Sequence, residues 1–193
     1  MTTAPDWSHD IIATPRLALR PPVADDAGAL FEAIDDAAIV RMLARVPWPY
    51  EQADAAAWVA GAAADHAARR GFHRVVTDGA GLCGVVSLSF SPVSLFEPAP
   101  ELGYWIARNR WGRGYATEAG RALLTFAFAR LGVTAVRSGA FHDNPASLGV
   151  QARLGFEIVG RSDVFCLARG AKVAHIDTML TRARLEEIGL LPA

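Results

Sequence analysis

A chain of 193 residues with 52% hydrophobic content is long enough to bury a full core, and one domain over residues 1–193 is expected. Charged residues make up 20% of it and the formal net charge is −1, so no global field favours nucleic acid or an anionic membrane, and a small soluble ligand fits better. Met1 to Asp10 lacks the apolar stretch of a secretory signal, and the most apolar segment, Leu123 to Val133, is interrupted by Arg130 and too short to span a bilayer, so a cytoplasmic protein is expected.

Thr14 to Arg20 reads as a first strand, ended by Pro21-Pro22 before a helix from Ala24 to Ile34. A short helix over Ala37 to Ala44 and an aromatic turn, Pro47-Trp48-Pro49-Tyr50, precede an alanine-rich helix from Gln52 to Arg70 with Trp58 on its buried face. Phe72 to Thr77 and Leu82 to Phe90 are strand-like runs joined by Asp78-Gly79-Ala80-Gly81, a hairpin signal. After a loop over Ser91 to Pro98 come a strand (Glu101 to Ala107), a helix (Ala116 to Leu131) and a strand (Ala135 to Phe141). Asn144 to Leu154 is a helix with Asn144 as N-cap, Pro145 at the first helical position and Gly155 just past the end. Strands over Glu157 to Leu167 and Lys172 to Leu180 and a helix from Thr181 to Ile188 complete an α+β order around a mixed sheet. Cys83 and Cys166 lie in apolar, strand-like surroundings and read as reduced core thiols. His9, His66, His73, His142 and His175 show no paired spacing, so no metal site is expected.

The chemistry concentrates between Glu101 and Phe156. Trp111-Gly112-Arg113-Gly114-Tyr115-Ala116-Thr117 joins a strand to a helix, so its N–H groups and the helix dipole converge on a point that attracts phosphate. By itself such a loop is equally compatible with a structural turn. A dinucleotide fingerprint is excluded by Thr117 in place of the last small residue and by the absence of Asp or Glu between Glu118 and Asp143. A nucleotide P-loop is excluded because the only lysine is Lys172. Downstream, Asn144, Ser147, Leu148 and Gln151 share a helix face, which gives a polar patch; helix capping alone would also account for Asn144 and Ser147.

Glu101-Leu-Gly-Tyr-Trp-Ile, Trp111-Gly-Arg-Gly-Tyr-Ala-Thr-Glu-Ala, and Asn144-Pro-Ala-Ser followed by Leu154-Gly-Phe resemble the GNAT acetyltransferase superfamily, most closely its ribosomal-protein-alanine acetyltransferase branch. Thr14-Pro-Arg-Leu-Ala-Leu-Arg-Pro with Asp25-Asp26 extends the resemblance over almost the whole chain. It implies the GNAT fold: a central mixed, mostly antiparallel sheet with splayed middle strands, flanked by helices. It implies acetyl-CoA as cosubstrate, with its pyrophosphate on Gly112, Arg113, Gly114, Tyr115, Ala116 and Thr117, and with Arg110 and Arg113 adding charge. The strand segment Trp105, Ile106 and Ala107 is implied to splay from the next parallel strand and to bind the pantetheine arm through unpaired backbone groups, joined by Asn144 and Ser147. Trp111 departs from the common Gln or Arg, so no side-chain phosphate contact is expected there.

Acetyl transfer needs a neutral amine, an oxyanion donor and protonation of the leaving thiolate. Glu101, at the start of the strand whose far end is implied to meet the thioester, is the candidate base; an ordinary charged strand end is the competing reading. Many superfamily members carry tyrosine where this chain has Gln151, which cannot donate a proton in this role, so Ser147 with Tyr104 behind it is the candidate acid. Glu118 reads as a first-turn residue favoured by the helix dipole. The acceptor, a protein N-terminus or a small-molecule amine, is expected to meet the first two helices, Ser91 to Pro98 and Phe165 to Lys172. Trp48, Tyr50, Phe96 and Phe165 are wall or core residues. A homodimer pairing the strands after Gly155 is expected. A non-catalytic acetyl-CoA-binding module is the alternative function.

Overall fold

The computed structural model describes residues 10–90 and 99–189, so the expected loop over Ser91 to Pro98, with Phe96, lies outside the described residues, as does His9. One eight-stranded sheet runs through it in the order β1-β2-β3-β4-β5-β6-β8-β7. Its strands are β1 (Ile12–Ala13), β2 (Ala18–Arg20), β3 (Gly71–Asp78), β4 (Gly81–Ser89), β5 (Glu101–Ile106), β6 (Ala135–Phe141), β7 (Glu157–Cys166) and β8 (Ala171–Thr181). The helices are α1 (Asp26–Ile34), α2 (Ala37–Val40), α3 (Gln52–Ala67), α4 (Tyr115–Phe126), α5 (Pro145–Arg153) and α6 (Arg182–Glu187). Every neighbouring pair of strands is antiparallel except β5 and β6, which are parallel. This is the GNAT fold.

The single strand expected over Thr14 to Arg20 is instead a short hairpin. Thr14 Oγ1 accepts from Leu17 N at 2.9 Å and turns the chain, so Ile12–Ala13 folds back on Ala18–Leu19. The helix expected over Ala37 to Ala44 stops at Val40, and the chain continues through turns. The helix expected to reach Leu131 changes at Ala127 into one wider turn, Ala127–Leu131, closed by Gly132. The β3–β4 hairpin follows its signal: Asp78 pairs with Gly81, and Asp78 Oδ1 accepts from Ala80 N at 2.9 Å.

Side chains alternate across a strand, so the sheet has two faces with a core on each. On one face α4 lays Ala119, Leu123 and Leu124, one apolar stripe of an amphipathic helix, over Val86, Leu88 and Leu102. On the other, α1 and α3 lay Leu30, Ile34 and Val59 over Val75 and Val85. Cys83 and Cys166 are free and buried. Among the described residues no helix is long and apolar enough to cross a membrane.

Candidate active site

The parallel pair β5–β6 is the weak seam of the sheet. It is joined at Glu101 and Arg137 and by the bond from Arg137 N to the Pro100 carbonyl (2.8 Å), after which the strands part. The last tie between them is Ser138 Oγ, which donates to the Leu102 carbonyl at 3.0 Å. Beyond it lies a cleft of about 1500 Å³ that reaches both faces of the sheet and is bordered by Tyr104, Ile106, Gly112, Ser147 and Glu101. The opening therefore begins at Gly103, two residues after Glu101, rather than only at the far end of the strand.

Backbone groups of alternate residues in a strand point to opposite neighbours. Ala107 N donates to Cys83 O on the β4 side, so Trp105 shares that side while Tyr104 and Ile106 face the gap. Of the expected trio, Ile106 keeps an open-side N–H, its carbonyl being taken by Trp111 Nε1 at 2.6 Å. Ala107 is a correction, because its N–H is already bonded within the sheet. The Trp111 indole closes the turn leaving β5 and borders the cleft.

At the far end of the gap the chain makes a 3₁₀ turn over Arg108–Arg110 and enters α4 through Gly112 and Gly114, both with positive φ (+74° and +76°). Gly114 is the N-cap and has no side chain to satisfy the first turn, so the N–H groups of Tyr115, Ala116 and Thr117 lack an intrahelical acceptor and point into the cleft mouth. Unpaired donors of this kind at a helix N-terminus are a place where an anion can bind. Arg110 lines the cleft but is ion-paired to Asp78 at 2.8 Å, and Tyr115 Oη donates to the same carboxylate at 3.3 Å, so this arginine anchors the loop to the β3–β4 hairpin. Its bond to Arg110 holds the Asp78 carboxyl below its ordinary value. Cations that the sequence reading missed, Arg121 on α4 and Arg153 on α5, also border the cleft.

Glu118 is more than a first-turn residue. Its Oε1 accepts from Thr14 Oγ1 (2.6 Å) and Arg16 N (3.1 Å), and its Oε2 from Arg16 Nε (2.7 Å), while Arg16 Nη1 donates to the Arg113 carbonyl at 2.9 Å. Burial alone would raise this carboxyl; the bonds from Thr14 and Arg16 outweigh it and hold it low. A carboxyl held below its unfolded value contributes stability that is complete above that value and is lost as pH falls through the folded one. Glu118→Gln is expected to cost about 1–2 kcal/mol at neutral pH. Urea unfolding across pH should show the gap to wild type closing on acidification below the ordinary glutamate range.

On the α5 side of the gap a chain of hydroxyls and amides meets. Asn144 caps α5 by accepting from Ser147 N at 3.1 Å. Ser147 Oγ lies 2.8 Å from Tyr104 Oη and accepts from Gln151 Nε2 at 3.3 Å. Gln151, 1% exposed, also donates to the Gly139 carbonyl (2.9 Å) and accepts from Thr178 Oγ1 (2.7 Å). Burial pushes the Tyr104 phenol up, so it stays protonated. Gln151 and Thr178 thus hold Ser147 in place.

Glu101, Gly103 and Trp105 face the side of α1 and α3. Glu101 is exposed and ion-paired to Arg45 at 2.7 Å. Of the expected aromatic wall, Tyr50 is core, 7% exposed and stacked on Phe31, while Trp48 and Phe165 are exposed and do not border the cleft. Met42, Leu43, Val46 and Trp58 line it instead.

Residues 16–157 match the profile described as Acetyltransferase (GNAT) domain, so the chain belongs to the GNAT acetyltransferase family, whose members use acetyl-CoA as acetyl donor. Its class is that of the N-acetyltransferases. It is 38% identical over 81 residues to YdaF of Bacillus subtilis (strain 168), whose name provisionally assigns it ribosomal N-acetylation; that match covers 42% of this chain and 43% of YdaF, less than half of the relative's length. Among solved structures, Mycobacterium smegmatis RimJ in complex with CoA-disulfide superposes with a TM-score of 0.80 at 20% identity, covering 97% of this chain and 98% of that one. The ribosomal-protein-S5-alanine acetyltransferase of Vibrio fischeri does so with a TM-score of 0.77 at 19% identity, covering 89% and 96%.

Proposed function

We propose that this chain, acting as a single domain in the cytoplasm, transfers the acetyl group of acetyl-CoA to a primary amine by direct attack on the thioester. The acceptor is the α-amine of a protein N-terminus or a small-molecule amine. The observation that carries the reading is the gap between β5 and β6, which joins a phosphate cradle at Gly112–Thr117 to the Tyr104–Ser147 pair and opens on the opposite face at Gly103. The name of the S5-alanine enzyme favours the α-amine, since alanine carries no other, and an α-amine needs less help to lose its proton than a lysine side chain. Two free buried thiols suit a reducing compartment.

In this reading the loop N–H groups hold the pyrophosphate, and the open-side groups of Tyr104 and Ile106 hold the pantetheine arm as an added strand would. Glu101, at the solvent end of the passage, takes the proton that an ammonium must lose before attack, directly or through water. Ser147 protonates the leaving thiolate and is resupplied by Tyr104. The test is product identification by mass spectrometry with acetyl-CoA and a panel of N-terminal peptides, lysine peptides and small amines. Acetylation at nitrogen is expected, with α-amines preferred; acetyl-CoA binding without any acetylated amine would favour the sensing-module alternative.

Assembly as a homodimer belongs to the same proposal. β7 is an edge strand whose Ile158 (70%), Val159 (58%) and Phe165 (51%) are exposed. An antiparallel pairing of two copies about Ser162 sets Arg161 opposite Asp163 of the second copy and Val159 opposite Phe165. Sedimentation should show a dimer that Asp163→Arg weakens and the Arg161→Asp/Asp163→Arg swap restores. Monomer at all micromolar concentrations would contradict it.

A further inference from the structure

Opposite Ser147 the cleft is bordered by a histidine that the amine chemistry described above does not use. His175 lies on β8, and its Nδ1 is 2.8 Å from Asp177 Oδ1, which also accepts from Ser162 Oγ at 2.9 Å. Thr178 points to α5, where it bonds Gln151, so His175 and Asp177, at odd spacing from it, occupy the opposite face, the one that Glu101 shares. The imidazole sits where β6 has Gly139: a Cβ there would run into Cε1 of the ring and into the Ile176 carbonyl at 2.6 Å, and would stand 2.9 Å from Nε2. Phe141 packs edge-on at 5.8 Å. Among the described residues Nε2 has no hydrogen-bond partner, and His175 lines the cleft.

Gly139 and Gly103 each lie two residues past the joined pair Glu101–Arg137, so the first open level of the gap is flanked by two residues without side chains. Nε2 stands over one of them. A ring tied through Nδ1–H to a carboxylate presents a lone pair at Nε2, the tautomer a general base needs.

We propose that His175, oriented by Asp177, is a second proton acceptor for the acetyl-accepting nitrogen; this rests on the N-acetyltransferase reading. An ammonium sheds two protons on becoming an amide. The first leaves before attack, toward Glu101 and solvent. The nitrogen lone pair then forms the C–N bond while the carbonyl pair moves to oxygen. The remaining excess N–H bond breaks toward His175 Nε2, the oxygen pair returns, and the C–S bond breaks with its electrons going to sulfur, which takes a proton from Ser147. The Ser147–Tyr104 pair regains its proton from water as His175 releases its own, so with the proton shed through Glu101 the sum is ammonium plus thioester to amide, thiol and one proton. The charged groups around the imidazole are Asp177 on its own strand, Arg137 on β6, Glu101 across the gap, and Asp143 with Arg41 and Arg169 beyond Phe141.

The test compares His175→Gln, His175→Ala and Asp177→Asn with wild type, using an amine that wild type acetylates. His175→Gln and His175→Ala should lower kcat by about 10²–10⁴ with unchanged acetyl-CoA affinity and unchanged circular dichroism. Free imidazole should restore part of the His175→Ala turnover by occupying the vacated space over Gly139. Asp177→Asn should lower kcat less and displace the acidic limb of its pH profile. His175→Gln turning over at the wild-type rate would overturn the proposal, as would a His175→Ala loss that imidazole leaves unchanged. Failure of wild type to acetylate any amine would instead remove the reading on which it rests.

Discussion

Gly114→Asp is expected to weaken acetyl-CoA binding by about 10³-fold or more while the chain stays folded. Gly114 has φ +76°, a left-handed conformation that costs most residues about 1–2 kcal/mol but that aspartate tolerates better than most. Its carboxylate, at the positive end of the α4 dipole, is favoured there by about 0.3–1 kcal/mol, which offsets part of that cost. The same carboxylate would occupy the donors meant for a pyrophosphate and face its negative charge, a repulsion of about 4 kcal/mol at 4 Å near a protein surface, or about three orders of magnitude in affinity. A Cβ at this position would meet only Arg16 Nη2, at 3.6 Å, so packing does not confuse the result. Calorimetry on the folded variant is the check; unchanged affinity would remove the cradle from the account.

Glu101→Gln is expected to leave acetyl-CoA affinity intact and to lower turnover by about 10²–10⁴, the usual cost of losing a general base. Glutamine keeps the size of the side chain and one acceptor for Arg45, so the mouth of the passage should keep its shape. Part of the loss should return at higher pH, where more of the acceptor is already neutral. Ser147→Ala should behave differently. Its hydroxyl belongs to a buried network held by Gln151 and Tyr104, and raising the pH does not replace a missing acid at sulfur. Rate profiles against pH for both variants separate the two roles; wild-type turnover by Glu101→Gln at every pH would make Glu101 a structural partner of Arg45.

Much of this architecture was legible in the sequence where local chemistry decides it. The Asn144 cap, Pro145 and Gly155 bound α5 within a residue, and the Asp78–Gly81 turn joins β3 to β4. Legibility failed where the deciding partner is distant in the chain. Glu118, 104 residues on, takes the Thr14 hydroxyl and so fixes the Thr14–Leu17 turn that splits the first strand into a hairpin. Tyr50 reads equally as wall or core until Phe31 stacks on it. That Gln151 does not donate a proton to sulfur follows from its residue type, but its hold on Ser147 depends on Thr178, and so on β8 lying beside β6. The spacing of His175 in the sequence bears only on metal binding; its aim into the cleft likewise follows from β8 inserting between β6 and β7, which no local pattern encodes.

The central claim is that the two sides of the β5–β6 gap are joined in one reaction, and amine-dependent release of thiol from acetyl-CoA tests it most directly. The account predicts thiol release that rises with an acceptor peptide, matches the acetylated amine one for one, and is lost in Gly114→Asp. Tight binding of acetyl-CoA with no thiol release above the buffer rate, across α-amines, lysine peptides and small amines, would contradict it.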